Sequence, residues 1–228
     1  MRTIATLISL SLFAPVALAA PGDAPSATRA APTAATSPNP AAAQPPTPAV
    51  KLTPIDLTET PERCHPIAKR AAAVNLVQAL SARISLASCI ADARFSELTL
   101  IDGQDSITAM DEAAAPSIAM LDEVAAAPDP VTQVMATHAK AQLLQTMINR
   151  MTQTVLVAAD ARPEAQALRE TRRAIMQELL TPWRKQALAI HSAIDELGRT
   201  HPTLVRNPVA LAAIRDSRER LARPVASR

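Results

Sequence analysis

Tyrosine is absent from this 228-residue chain, glycine occurs three times and aromatic residues make up 1% of it. Strands favour β-branched and aromatic residues and tight hairpins favour glycine, so the composition points away from sheets and toward helices. Gly22, Gly103 and Gly198 are too few and too scattered for a phosphate-cradling loop. Beyond the first twenty residues the aromatics are Phe95 and Trp183 alone. That leaves no stacking platform for single-stranded nucleic acid. Cysteine is limited to Cys64 and Cys89, which rules out a C-x-x-C metal or haem-attachment motif. A dominant charge is also missing, since 23 bases face 21 acids. Net charge therefore names no partner.

What is present begins with a leader. Residues 1–19, MRTIATLISLSLFAPVALA, carry one early charge at Arg2 and an apolar run from Ile4 to about Leu12. Ala17-Leu18-Ala19 forms an A-x-A cleavage site, so the segment reads as a secretory signal peptide cut after Ala19 or Ala20. An uncleaved anchor is the alternative, although the run is short of the roughly 20 residues a span needs. No cysteine near the cut could carry a lipid. Residues 20–50 are Ala, Pro, Thr and Ser with almost no large apolar side chain. Such a composition cannot offset ordering entropy, and the segment reads as a disordered tether.

Residues 51–228 form one domain's worth of Ala-, Leu-, Arg- and Met-rich chain, a helix-forming composition. Asp129-Pro130, Arg162-Pro163 and Asn207-Pro208 read as helix starts, and Gly103 and Gly198 as stops. Together they predict helices at about 66–101, 105–127, 130–160, 163–198 and 208–222. Apolar residues recur every three or four positions in each. Examples are Val77, Leu80, Ile84, Ala87, Ala91 and Phe95 in the first, and Ile175, Leu179, Trp183, Ala187, Ile190 and Ile194 in the fourth. Pro116 and Pro182 interrupt the donors but not the phase of the apolar face. They predict bends or stacked helix pairs rather than reversals. The fold class is thus all-α, an elongated bundle of four to five long amphipathic helices behind a disordered Ala/Pro-rich tether.

The cysteines pose a conflict. An exported chain favours a Cys64–Cys89 disulfide. A single helix from 66 to 89 would hold its ends about 35 Å apart, whereas the bond needs Cα atoms about 4.4–6.8 Å apart. With no turn spelled between them, the reading adopted is the unbroken helix, and the intrachain bond is disfavoured. Cys89 is then a buried thiol and Cys64 an exposed one able to pair with another chain. Ser81-Ala82-Arg83 is the weakest point of that rod.

Chemistry-bearing constellations are sparse. His138 has no acid three or four residues away, while His191 and Asp195 share a helix face. These three are weak metal candidates, short of a ligand set. No catalytic residue and no cofactor site emerges, and an enzyme is disfavoured. Charge is segregated. Nine acids (Asp92, Glu97, Asp102, Asp105, Asp111, Glu112, Asp122, Glu123, Asp129) face only Arg94 between 92 and 129, and seven arginines face Asp216 and Glu219 between 199 and 228. The plain reading is solvated or mutually neighbouring faces. The sharper one offers Arg215, Arg218, Arg220 and Arg223 to an anionic partner.

The expectation is a periplasmic or secreted, non-enzymatic envelope protein acting as a structural or protein-interaction module. Its partners would be an envelope protein or anionic surface, not nucleic acid. No transmembrane segment is expected after signal cleavage, and homo-oligomerisation stays open. The alternative is a periplasmic, chaperone-like binder of apolar or lipidic ligands using the pliant Met135, Met147, Met151 and Met176.

Overall fold

The computed structural model describes residues 52–73, 75–101, 103–154 and 163–223. The chain divides into two units, Met1–Ala43 and Gln44–Arg228, and every described residue belongs to the second. The expected signal peptide, the expected tether to residue 50 and the expected helical end at 155–160 lie outside the described residues. The described chain is all-α, with no strand among its residues. Seven α-helices follow in order: α1 His65–Ala71, α2 Leu76–Glu97, α3 Gln104–Ala125, α4 Pro130–Thr154, α5 Pro163–Leu179, α6 Thr181–Thr200 and α7 Pro208–Ala222. Short 3-10 turns occupy Glu62–Cys64 and Pro202–Arg206.

The prolines and their capping residues start helices where expected. Asp129 accepts the Thr132 N–H at 2.8 Å, and Asn207 accepts those of Val209 and Ala210 at 3.0 and 3.1 Å. Each satisfies donors that a first helical turn leaves without intrahelical partners. Pro116 lies inside uninterrupted α3, whose buried residues continue from Met110 and Ala114 to Ser117 and Leu121. Pro182 sits in the first turn of α6, separated from α5 by Leu180 alone. The expected fourth helix is therefore a stacked pair. The helix count exceeds four to five because this helix and the first each divide.

The division of the first helix overturns the expectation for the cysteines. Cys64 and Cys89 are joined, with Cα atoms 5.9 Å apart. The rod stops at Ala71, whose end is closed by the Ala72 N–H bonded to Ala68 O at 3.0 Å. It restarts after Asn75, an extended residue whose side chain accepts the Gln78 N–H at 3.3 Å. Asparagine is a strong N-cap, so the signal for a reversal was present at Asn75 and not at Ser81-Ala82-Arg83, which lies within unbroken α2. Cys64 is fully buried and Cys89 partly exposed, the reverse of the expected thiols. Around them pack Ala68, Ala71, Leu86, Ile90 and Ala93.

The two glycines also change roles. Gly103 precedes α3 with φ 140°, a conformation that side-chain-bearing residues rarely adopt. Gly198 lies inside α6, and a Cβ there would sit 3.1 Å from Ile214 of α7. Its missing side chain permits the close approach of these two helices.

The main core gathers Phe95 of α2, Met110 and Leu121 of α3, Leu144, Met147 and Met151 of α4, Leu180, and Trp183 of α6. A second core of Val134, Ile194, Leu204, Ala210 and Ile214 joins α4, α6 and α7. Helix α2 is long and apolar enough to cross a membrane by length and composition. Here Leu80, Leu86, Ala87, Ile90, Ala91 and Phe95 are buried.

Two stability outcomes follow. Replacing both cysteines by serine removes a cross-link spanning a sequence separation of 25. It should lower unfolding free energy by about 3 kcal/mol in urea titrations. A Gly103→Ala change meets no neighbouring atom within 4 Å, so its cost is one of backbone conformation. That change should destabilise by about 1–3 kcal/mol, read as a lower denaturation midpoint.

Candidate functional site

The residues nominated from sequence converge on the interface of α4, α6 and α7. His138 of α4 places Nε2 3.0 Å from Asp216 Oδ2 of α7. Arg220, one turn further along α7, donates through Nε to the same carboxylate at 3.0 and 3.1 Å, and through Nη1 to Gln145 Oε1 at 3.4 Å. His191 of α6 is buried and shares a hydrogen bond between Nδ1 and Ser217 Oγ at 3.1 Å. Asp195, a turn beyond His191, is also buried and accepts Arg218 Nε–H at 2.6 Å and the Arg199 guanidinium. His138, His191 and Asp195 thus share an interface, but each is bonded into helix packing. Among the described residues no group of three or more His, Cys, Asp or Glu side chains is arranged to hold a metal ion.

The same network divides the four arginines. Arg218 and Arg220 are committed to Asp195 and Asp216. Arg215 and Arg223 are exposed and make no ion pair among the described residues. Two of the acids between 92 and 129 find other partners: Asp122 pairs with Lys140 at 2.7 Å, and Glu123 with Arg83 at 3.2 Å.

Electrostatics distinguishes the buried groups. His191 is held below its ordinary 6.5 by burial, then by the positive charges of Arg220 and His138, against the opposing pull of Asp216. Asp195 is held below its ordinary 3.8 by the hydrogen bonds of Arg218 and Arg199. For Asp216 burial works against ionisation, but the bonds from His138 and Arg220 prevail and lower its pKa.

Two further places were not legible from the sequence. One is a cavity of about 370 Å³ between α3 and the α5–α6 junction, lined by Ile107, Asp111, Ile175, Glu178, Leu179 and Trp183, with Gln104 and Pro182 at its edge. The indole N–H of Trp183 donates to Asp111 Oδ1 at 2.9 Å. Partial burial nevertheless holds the Asp111 carboxyl above its ordinary 3.8. A buried indole needs an acceptor, but nothing in sequence spacing says which of nine acids supplies it.

The other is Arg83 of α2, whose guanidinium donates to Glu123 of α3 and to the carbonyl of Thr53. Glu123 in turn accepts the Thr53 N–H at 3.2 Å, which ties residues 52–60 across α2 and α3. Beside it lies an apolar hollow of about 270 Å³ reached by Ile55, Ile90, Pro116 and Met120. An arginine three residues after Leu80 and four before Ala87 sits on the apolar face, and that spacing was the available signal.

Of the pliant methionines, Met147, Met151 and Met176 are buried in the main core, and Met135 is half-buried. Comparison of the chain with known protein families, characterised proteins and solved structures gave no match.

The buried histidine sets a pH dependence. His191 binds its proton more readily unfolded than folded, so its contribution is complete above 6.5 and is lost as pH falls below that value. The thermal midpoint should drop between about pH 7.5 and 5.5, and His191→Gln should flatten that slope. A second drop, from Asp195, belongs below 3.8.

Proposed function

We propose that the chain is an exported, non-enzymatic helical protein of the cell envelope that acts as a structural or protein-interaction module. In this reading an elongated bundle is carried on a disordered N-terminal tether. Three features support it. The Cys64–Cys89 bond suits an oxidising compartment, as does the leader-like start of the sequence. The histidines and the buried aspartate that could have served chemistry are engaged in helix packing. The third feature carries the reading: from 166 to 175 every α5 side chain except half-buried Arg169 is exposed, including Leu168 and Ile175, each at 53%.

Among the described side chains of α5, Met176 is the buried one, and Leu180 is buried just beyond the helix end. Leu168 and Ile175 stand seven residues apart and so share one face. An amphipathic helix with an open apolar face is a common way of engaging a partner groove or helix. The occupant favoured here is an envelope protein. The exposed Arg215 and Arg223 give an anionic surface less support, because Arg218 and Arg220 are already neutralised.

A second reading, a periplasmic binder of apolar or lipidic ligands, is favoured by the cavity beside Trp183 and the hollow beside Arg83. The interaction reading is tested with a photo-crosslinking residue at Leu168 or Ile175, expressed in cells. Adducts of defined mass with an envelope protein are expected at both positions and not at exposed Gln142 of α4. No adduct at either position, or the same adducts at Gln142, would count against the module.

A further inference from the structure

The cavity between α3 and the α5–α6 junction has a lopsided chemistry. Its apolar walls come from three helices: Ile107 of α3, Ile175 and Leu179 of α5, and Trp183 of α6. Its charged groups are Asp111 and Glu178, and no lysine or arginine lines it. Asp111 commits Oδ1 to the Trp183 indole and has no cationic partner among the described residues. The Glu178 carboxylate is exposed and has no side-chain hydrogen bond or ion pair with a described residue. Two carboxylates thus border an apolar slot of about 370 Å³, within the size range of small-molecule sites. Both carboxylates are exposed and stay hydrated beside a neutral guest, while an anion would be repelled and a cation attracted.

We propose that this slot binds an amphipathic organic cation, an ammonium head with a short apolar tail. The tail lies against Ile107, Leu179 and Trp183, and the ammonium meets Asp111 and Glu178. The partial burial that lifts the Asp111 carboxyl is relieved by such a charge, so binding weakens as pH falls through the range where Asp111 protonates. The inference rests on the second reading above and adds to it the sign of the ligand.

Trp183 is the sole tryptophan, so its emission reports on the slot directly. The full chain is titrated with octyltrimethylammonium, 1-octanol and octanesulfonate, at concentrations that leave the far-UV circular dichroism unchanged. The cation should give a saturable change, octanol should bind about tenfold more weakly, and octanesulfonate should have no effect. Asp111→Asn with Glu178→Gln keeps an acceptor for the indole and should weaken the cation about tenfold, to the level of octanol. Octanol binding as tightly as the cation would overturn the charge selectivity while leaving an apolar-ligand site. So would undiminished cation binding by the double variant. Silence from all three probes would overturn the slot as a ligand site altogether.

Discussion

The Cys64–Cys89 bond constrains everything that precedes the long helices. Helix α1 has only seven residues, far too few to persist in water by its own hydrogen bonds. Tying the residue before α1 to the middle of α2 obliges the chain to reverse between Ala72 and Asn75 and presses Ala68 and Ala71 against Leu86 and Ile90. Small alanine side chains make that close packing feasible. The same short N-terminal stretch is then held a second time, by Arg83 and Glu123 gripping Thr53. Covalent and ionic ties thus compensate for a segment whose own apolar surface is modest.

Elsewhere polar groups serve specificity more than bulk stability. The α4–α6–α7 contact is built on alanines, Ile194, Leu204 and Ile214, with Gly198 letting two backbones draw together. A contact so poor in distinctive shapes admits sliding by a turn, because alanine faces look alike at each register. His138 with Asp216, His191 with Ser217, and Asp195 with Arg218 are satisfied in one register only. Leaving any of them buried without its partner costs more than the made bond contributes. The arginines near the C-terminus are therefore divided between two tasks, with Arg218 and Arg220 fixing helix packing and Arg215 and Arg223 facing solvent.

The all-helical character was legible because it follows from composition and from apolar spacing, and the Asp129 and Asn207 starts because capping is local chemistry. The break at Asn75 was missed for a different reason. An Ala-rich run into an asparagine reads equally as a continuing helix and as a stop followed by an N-cap, and the decision belongs to the bond formed with Cys89. Val77 shows the consequence: it keeps the apolar phase of the α2 face yet is 74% exposed, one residue after α2 begins. Gly198 read as a stop because glycine usually ends helices, whereas here the facing Ile214 sets its role. Pairings such as Asp111 with Trp183 join residues 72 apart in sequence, beyond the reach of any helical period.

Helix α5 is where these constraints relax. It leads into α6, whose Trp183 and Ala187 belong to the main core. Met176 and Leu180 fasten the junction, but the turns before them lie outside the packed layers. The α5 sequence suits that position, since Arg169, Glu170, Arg172 and Arg173 interrupt its apolar residues and keep most of its circumference hydrated. Leu168 and Ile175 are the exceptions, and Ile175 also lines the slot that holds Asp111 and Glu178. A guest in that slot would bridge α3 and α5 beside buried Met176 and Leu180, where the exposed turns of α5 end.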